Sequence, residues 1–305
     1  MEYREVEALA RERAQARADK DFARADDLRG AIDAAGWKVI DTPAGFELVE
    51  KPPFAVFGSL ADVDIRIQAP VVLTVIVDGW PDDVDVCLSA LVEHAPSDAT
   101  ILAIDCGNVD GAGLRADAWE KESPERVRAV HLDGTLQQLG WASVVRAAIE
   151  MTDGPVFAVL DMSTVLEGDA VTPMVEALAQ DGVVASGWRG VNVDVDDAWR
   201  TFTDAGPGEV DAVLGYLMVV RTDAAREVSP DVKARFYRNA DMEWCLLLRE
   251  AGGRIVVPAG ELPLRQDRHH GYHDSEPTYR DKQSKKTYDR ILQRFRGRTD
   301  ILAPR

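Results

Sequence analysis

Short apolar runs alternate with helix-like segments from residue 70 onward, and this alternation limits the folds open to the chain. The predicted strands are 71–77, 100–104, 127–132 and 155–160, and the predicted helices are 82–94 and 137–151. Consecutive parallel strands need a crossover between them, usually a helix. The pattern therefore predicts an α/β fold with a mostly parallel sheet that carries helices on both faces.

The composition supports a globular protein. Hydrophobic residues make up 46% of the 305 residues and charged residues 29%, which is enough apolar material for a sizeable core. The longest apolar runs are far shorter than the roughly 20 residues that cross a bilayer, so we expect no membrane span. The charged N-terminus lacks the pattern of a secretory signal, and we expect a cytoplasmic location. The sequence leaves a homo-oligomer open.

The cysteines and the charges narrow the class further. Cys87, Cys106 and Cys245 are odd in number and form no CxxC pair, so we expect reduced, buried thiols and neither a disulfide framework nor a zinc knuckle. The net charge of −18 opposes non-specific attraction to nucleic acid. Residues 266–305, in contrast, form a basic C-terminal extension that either meets an anionic ligand or is a solvated helix.

Residues 1–50 form a separate predicted module. Their apolar positions have helical spacing and predict two short helices, with Asp21 as the N-cap of the second and Gly36 just after its end. Two strands around a Pro/Gly turn follow. Residues 51–69 are predicted to be a linker or an extra edge strand, and they begin with Lys51-Pro52-Pro53.

Three aspartates directly follow predicted strands: Asp78, Asp105 and Asp161. In open α/β sheets, ligands bind beyond the carboxyl ends of the strands. The chain has neither a GxGxxG after its first strand nor a GxxxxGK[ST]. Carboxylates can instead accept hydrogen bonds from a base and a ribose, and can bind a divalent cation beside a diphosphate. Each aspartate could also simply form a turn or cap a helix.

Residues 70–265 resemble a GT-A glycosyltransferase, most closely of glycosyltransferase family 2. The strand and turn 101–111 resemble the family's VDNGSTDG segment, and 139–146 resemble its glycine-started helix. Asp161-Met162-Ser163 stands where the family has its DxD motif. Residues 215–221 resemble the strand on the acceptor side, and 240–254 resemble the EDxDL…R…AG helix.

The resemblance implies a role for each matching residue. Asp105, with Asn108 in the turn after it, would bind the nucleotide base, together with Asp78 at the neighbouring strand end. Arg146 would lie near the donor, although it could instead pair with Glu150 on the surface of its helix.

By the same resemblance, Asp161 and Ser163 would contact the donor, and Asp161 would bind a divalent cation, Mn or Mg. His270 and His273 are further candidate metal ligands, although a solvent-facing loop fits them equally well. Asp241 would be the general base, with Glu243 beside it, and its position at a helix N-terminus predicts a low pKa.

Three departures from the family pattern concern this site. Leu264-Arg265-Gln266 stands where family members often carry a metal-binding histidine, and three histidines follow a few residues later. Ser163 replaces the second carboxylate of the DxD motif, which predicts a weak metal site. Ala240 replaces the glutamate beside the base.

The N-terminal module resembles the C-terminal segment of cysteinyl-tRNA synthetases, through Lys20-Asp21-Phe22-Ala23, Ala25-Asp26 and Asp41-Thr42-Pro43. The resemblance implies tRNA contact. However, residues 1–50 carry 8 Lys and Arg against 12 Asp and Glu, and phosphate contact needs clustered basic residues. We therefore favour a docking or dimerisation hairpin.

The sequence as a whole predicts inverting transfer of a sugar from a nucleotide-diphosphate donor to the hydroxyl of an unknown acceptor. The alternative is a degenerate, non-catalytic transferase domain that acts as a scaffold for a nucleotide, a tRNA or a protein.

Overall fold

The computed structural model describes residues 2–43, 45–267 and 276–305. The chain divides into two compact units, Met1–Ala55 and Val56–Arg305. Among the helices of these described ranges, none combines the length and the apolar character needed to cross a bilayer.

The first unit is a helical hairpin followed by a β-hairpin. Its elements are α1 (Tyr3–Ala18), α2 (Phe22–Ala34), β1 (Trp37–Thr42) and β2 (Gly45–Glu50), with β1 and β2 antiparallel. The Asp21 side chain accepts a hydrogen bond from Arg24 N at 3.1 Å, and Gly36 has a φ of +83° after the end of α2. Both predicted helix ends are therefore confirmed.

A partly buried ion pair ties the two hairpins of this unit together. The Arg13 guanidinium donates to both carboxylate oxygens of Asp41, at 2.7 and 3.0 Å. This contact lowers the pKa of Asp41. Beside it, Val6, Ala10, Ile32 and Val39 form the small apolar core.

The second unit alternates strands and helices. Its elements are β3 (Val71–Val77), α3 (Pro81–His94), β4 (Thr100–Cys106), α4 (Ala112–Glu122), β5 (Val127–Leu132), α5 (Leu136–Leu139), α6 (Trp141–Met151), β6 (Val156–Leu160), β7 (Thr164–Leu166), α7 (Val171–Ala177), β8 (Val183–Gly187), β9 (Gly190–Val193), β10 (Phe202–Ala205), β11 (Gly208–Glu209), β12 (Ala212–Val213), β13 (Leu217–Arg221), α8 (Thr222–Glu227), α9 (Ala240–Glu250), β14 (Arg254–Val257), β15 (Leu264–Gln266) and α10 (Pro277–Phe295).

Within the described ranges, the central sheet has eight strands in the order β11-β14-β8-β13-β6-β3-β4-β5. The neighbours β6, β3, β4 and β5 are parallel, as are β8 and β14. β13 lies between β6 and β8 and is antiparallel to both. The α/β fold with a largely parallel sheet is confirmed, and one reversed strand interrupts it.

Helices cover both faces of this sheet. Val72, Ile76 and Leu102 point to one apolar cluster, which also contains side chains of α6, α9 and α10. Leu73 and Ile101 point to the other, which contains side chains of α3 and α4. Successive side chains of a strand point to opposite faces, so strands buried on both faces are apolar at almost every position.

Residues 56–69 of the predicted linker belong to the second unit. Phe57 N donates to His131 O at 2.8 Å, and Asp133 N donates to Phe57 O at 3.0 Å. Ile67 N likewise donates to Met151 O at 2.8 Å. This segment is therefore bonded to β5 and to the end of α6.

The C-terminal extension packs on the rest of the second unit. On α10, Ile291 and Phe295 are fully buried in the core cluster that includes α9. Near the end of the chain, Ala303 N and the Arg305 guanidinium donate to the buried carboxylate of Asp211, at 2.6 and 2.8 Å. Much of the basic charge in this extension thus serves internal contacts. All three cysteines are buried and unpaired, as predicted.

Candidate functional site

A cavity of about 380 Å³ opens at the carboxyl ends of β3 and β6. It brings together three of the predicted site residues: Asp78, Asp161 and Asp241. The remaining lining residues are Ile76, Leu136, Trp141, Val159, Leu160, Met162, Leu214, Gly215, Tyr216, Tyr237, Arg238, Asn239 and Met242. The cavity therefore combines apolar walls with a few polar groups, as small-molecule sites do.

Asp78 and Asp161 reach this cavity because their strands are direct neighbours. β3 and β6 pair in parallel with Val75 opposite Leu160, so both strands end at the same edge of the sheet. Burial raises the pKa of Asp78 to about 7, and the negative charge of Asp161 contributes to the rise. The two carboxylates thus share a site that favours a positive group.

Ser163 orients Asp161. The Ser163 backbone N–H donates to Asp161 Oδ1 at 2.8 Å, and the Ser163 hydroxyl donates to the same oxygen. Gln266 Nε2 donates to Ser163 Oγ at 3.3 Å. Ser163 itself is 2% exposed and does not line the cavity. Its hydroxyl therefore supports the carboxylate at the position where the family pattern has a second one.

Asp241 lies in the first turn of α9 and lines the cavity. Its carboxylate accepts hydrogen bonds from Gly215 N at 2.7 Å and from Met242 N at 2.8 Å. Burial nevertheless raises its pKa to about 6, against the effect of these bonds. The expectation of a low pKa was wrong, because desolvation outweighs the helix N-terminus and both N–H donors.

The segment between β12 and β13 connects Asp241 with Asp161. Gly215 N donates to the Asp241 carboxylate, and Tyr216 O accepts from Asp161 N at 3.1 Å and from the Thr164 hydroxyl at 2.7 Å. Because β13 is antiparallel, its beginning rather than its end meets the carboxyl edge of β6. A short stretch of backbone thus holds both carboxylates.

Asp105 and Asn108 lie outside this cavity lining. Asp105 is 1% exposed; its Oδ2 is 2.9 Å from His131 Nδ1, and its Oδ1 accepts from Asn108 N at 2.9 Å. Gly113 packs so closely that a Cβ there would come within 2.2 Å of Asp105 Oδ2. The structure therefore holds Asp105 firmly at the end of β4, one strand beyond Asp78.

Glu243 and Arg146 also lie away from the cavity. Glu243 is 4% exposed, and both of its carboxylate oxygens accept from Arg290 of α10, at 2.7 and 2.6 Å. Two residues further along α9 than Asp241, it points to another side of the helix. Arg146 donates to the Ser229 hydroxyl and to Pro230 O, not to Glu150. These positions give both side chains structural contacts.

The predicted metal ligands His270 and His273 lie outside the described residues, as does His269. In the ranges that the structure describes, no group of three or more His, Cys, Asp or Glu side chains could hold a metal ion.

Several lining residues escaped the sequence analysis. One of them is Tyr237. Burial and the nearby negative charges, first that of Asp161, raise the pKa of its hydroxyl well above the usual range. Arg238 and Asn239 follow it directly, and Asn239 has a φ of +70° at the start of α9. The only signal was their position just before the Asp241 motif.

Comparisons with known proteins agree with this architecture. The sequence matches glycosyl transferase family 2 over residues 72–226, just over half of the chain. The chain belongs to glycosyl transferase family 2. The match covers Asp78, Asp105 and Asp161 and ends before α9, where Asp241 lies.

Solved structures show that this family 2 chain has the GT-A fold. One is GalNAc-T7 with UDP, GalNAc and Mn²⁺, with a TM-score of 0.57 and 14% identity over 74% of this chain and 48% of that one. Another is the mannosyltransferase PcManGT from Pyrobaculum calidifontis with GDP-Man and Mn²⁺, with a TM-score of 0.54 and 15% identity over 80% and 74%. The family 2 chain thus spans about half the length of the first of these relatives.

One further protein is similar to a short segment of this chain only. Cysteine–tRNA ligase 1 of Burkholderia lata is 58% identical over 43 residues, which are 14% of this chain and 9% of the ligase. The family 2 chain therefore shares only a short segment with that enzyme.

Proposed function

We propose that the second unit transfers a sugar from a nucleotide-diphosphate donor to an acceptor hydroxyl, with inversion at the anomeric carbon. The observation that carries this proposal is the convergence of Asp78, Asp161 and Asp241 on one cavity at the carboxyl edge of a family 2 domain. Fold alone does not establish an activity, so the chemistry of these three carboxylates has to support each step.

The donor would occupy the side of Asp78 and Asp161. Asp105 and Asn108, one strand further along, would contact the base end of the nucleotide. The two lining carboxylates fit a divalent cation, because they offer hard oxygen ligands and because the charge of Asp161 already raises the pKa of Asp78. Both structural relatives were solved with Mn²⁺. When bound, such a cation neutralises the departing diphosphate.

Asp241 would be the general base. With a pKa of about 6 it is mostly ionised at neutral pH, yet it accepts a proton more readily than an ordinary aspartate. The N–H groups of Gly215 and Met242 hold one oxygen each and orient the carboxylate. An acceptor hydroxyl beside Asp241 would lose its proton as it attacks the anomeric carbon, and attack from the face opposite the leaving diphosphate inverts that carbon.

Titration calorimetry with UDP, GDP and their sugar conjugates, with and without Mn²⁺, tests the proposal. We expect one nucleotide diphosphate to bind, and its sugar conjugate to be consumed in the presence of an acceptor. A folded chain that binds none of these nucleotides would exclude a transferase. A chain that binds a nucleotide but transfers no sugar across an acceptor panel would favour a non-catalytic scaffold.

A further inference from the structure

We propose that Arg189 recognises an acid group on the acceptor, so that the acceptor is a sugar or polyol with a carboxylate or phosphate. This inference rests on the proposed transferase function, because only a transferase has an acceptor. Its evidence is a separate cluster of three side chains, Trp188, Arg189 and Tyr216, beside the cavity.

Two aromatic rings hold the Arg189 guanidinium. Its central carbon lies 4.4 Å from the centroid of the Trp188 ring and 5.3 Å from that of Tyr216. The two rings are 6.3 Å apart and inclined at 72°. Tyr216 also lines the cavity. Cation–π contacts of this kind fix the guanidinium in position, so Arg189 is held beside the cavity through Tyr216.

The backbone attaches this cluster to the side of the general base. Arg189 O accepts from Leu214 N at 2.8 Å, and Trp188 N donates to Leu217 O at 3.2 Å. Gly215, between these two contacts, donates to Asp241. Arg189 is therefore fixed to the segment that holds both Asp241 and Asp161. Because a cation at Asp78 and Asp161 would neutralise the donor diphosphate, Arg189 is left for the acceptor.

The charge of Arg189 is available for a ligand. In the part of the chain that the structure describes, Arg189 is exposed and forms no ion pair with a carboxylate. Three other arginines of this unit are paired with carboxylates, since Arg249 and Arg254 bind Glu209 and Arg290 binds Glu243. Ring contacts leave the in-plane N–H groups of a guanidinium open to a bidentate oxyanion.

The neighbouring charges make a positive group necessary for such a ligand. Asp78, Asp161 and Asp241 line the cavity, and their combined field repels an anion. Tyr216 lines this acidic cavity, and its ring contacts the Arg189 guanidinium. An acceptor could then place its hydroxyl beside Asp241, in the acidic cavity, and its acid group beside the positive charge of Arg189.

Binding of matched acid and neutral probes to the full chain, without donor, tests the inference. The probes are glucose against glucuronate, and glucose against glucose 6-phosphate, measured by calorimetry at fixed ionic strength. We expect at least one acid probe to bind tighter than glucose. Arg189→Gln should weaken that acid about ten- to a hundredfold, as loss of a charge-assisted hydrogen bond predicts, and leave glucose unchanged. Arg189→Lys should restore part of the loss.

Arg200→Gln is the matched control, since Arg200 is also exposed but, unlike Arg189, has no ring contact with a cavity-lining residue in the described ranges. UDP and GDP binding to each variant shows whether Arg189 binds the acceptor or the donor diphosphate. Acid probes that bind no tighter than glucose, or an Arg200→Gln effect equal to that of Arg189→Gln, would overturn the inference. A loss of nucleotide affinity in Arg189→Gln would assign the residue to the donor diphosphate. An acid preference in a chain that binds no nucleotide would retain the anion site and refute the transferase function.

Discussion

Gly215 donates its backbone N–H to Asp241 Oδ2 at 2.7 Å, and this bond joins the candidate base to the loop before β13. The carbonyl of the next residue, Tyr216, accepts a hydrogen bond from the N–H of Asp161. The backbone, not a side chain, therefore sets the separation between the carboxylate assigned to the acceptor and the one assigned to the donor.

Asp241→Asn should lower turnover by roughly 10² or more, because an amide cannot accept the acceptor's proton. Donor affinity should stay nearly constant. Glu243→Gln serves as the comparison. It should reduce thermal stability, since it weakens a buried ion pair with Arg290, and change turnover only a few-fold. Steady-state kinetics with calorimetric donor binding would measure both. Full activity in Asp241→Asn alongside an inactive Glu243→Gln would assign the base to the other carboxylate.

The pH profile of turnover should fall on the acid side near the pKa of Asp241, about 6. The base must be ionised, so activity is lost as the pH drops through that value. An exposed aspartate acting as the base would place the same limb near the ordinary aspartate pKa of 3.8. The rate measured between pH 4 and 8 distinguishes the two, and a flat profile down to pH 4 would contradict the assignment.

Asp78→Asn should stabilise the chain at pH 8 by on the order of 4 kcal/mol. The pKa of Asp78 is about 7 in the fold against an ordinary aspartate value of 3.8, so the folded state binds its proton more tightly than the unfolded state. That contribution to stability is complete below about pH 4 and is lost as the pH rises through 7. Asparagine does not ionise and avoids the loss.

Denaturant unfolding at pH 4 and pH 8 measures this effect, and the two proteins should have similar stability at pH 4. Asp98→Asn, at an exposed loop position, is the control and should show no such difference between the two pH values. A destabilised Asp78→Asn variant at pH 8 would mean that the ionised carboxylate has a stabilising partner.

Gly113→Ala should reduce nucleotide affinity as Asp105→Asn does, by about tenfold or more. Alanine is the better helix former, but its Cβ would lie 2.2 Å from Asp105 Oδ2 and 2.9 Å from Asn108 Oδ1, which forces both side chains to move. Gly58→Ala is the control, because its Cβ would meet Asp62 Oδ2 at an ordinary 3.6 Å. Unchanged nucleotide binding in a folded Asp105→Asn variant would remove Asp105 from the donor site.

EDTA should weaken donor binding without abolishing it. Ser163 directs its hydroxyl at Asp161, so this motif supplies one anionic ligand instead of two. In an Asp161→Asn variant the EDTA-sensitive part of the affinity should disappear. Calorimetry with and without Mn²⁺ gives the comparison. Donor binding that requires Mn²⁺ absolutely, with several late histidines as ligands, would contradict the prediction.

A chain that begins at Val56 should bind nucleotide as the full chain does, since residues 1–55 form a compact unit with their own core. A chain that begins at Asp62 should be less stable, because it lacks the hydrogen bonds of Phe57 to His131 and Asp133. Thermal unfolding and nucleotide titration of both chains test this. A folded Val56 chain without nucleotide affinity would show that the N-terminal module contributes to the site.

The sequence predicted those parts of the site that follow parallel strands. Asp78 and Asp161 were predictable because each directly follows an apolar run, and parallel strands end at a common edge. Asp241 was predictable only from the family motif around it. Helical periodicity shows which face of a helix is apolar, but it does not show that the first turn of that helix borders a cavity.

The residues that sequence reasoning missed precede their elements. Tyr216 comes before the reversed strand β13, and Tyr237 comes before α9. Strand direction cannot be read from an apolar run alone, because it depends on which neighbours the strand pairs with. The pKa of Asp241 was mispredicted for a related reason: the helix N-terminus is visible in the sequence, whereas the depth of burial is a property of the packed chain.

The loop that joins Gly215 and Tyr216 to the two carboxylates acts through main-chain atoms, and this restricts insertions more than substitutions. Any residue can present a carbonyl at position 216, and any residue except proline can present an N–H at position 215. An inserted or deleted residue between β12 and β13 would shift one bond relative to the other. Among relatives that retain the activity, we therefore expect the length of this loop to vary less than its amino acids do.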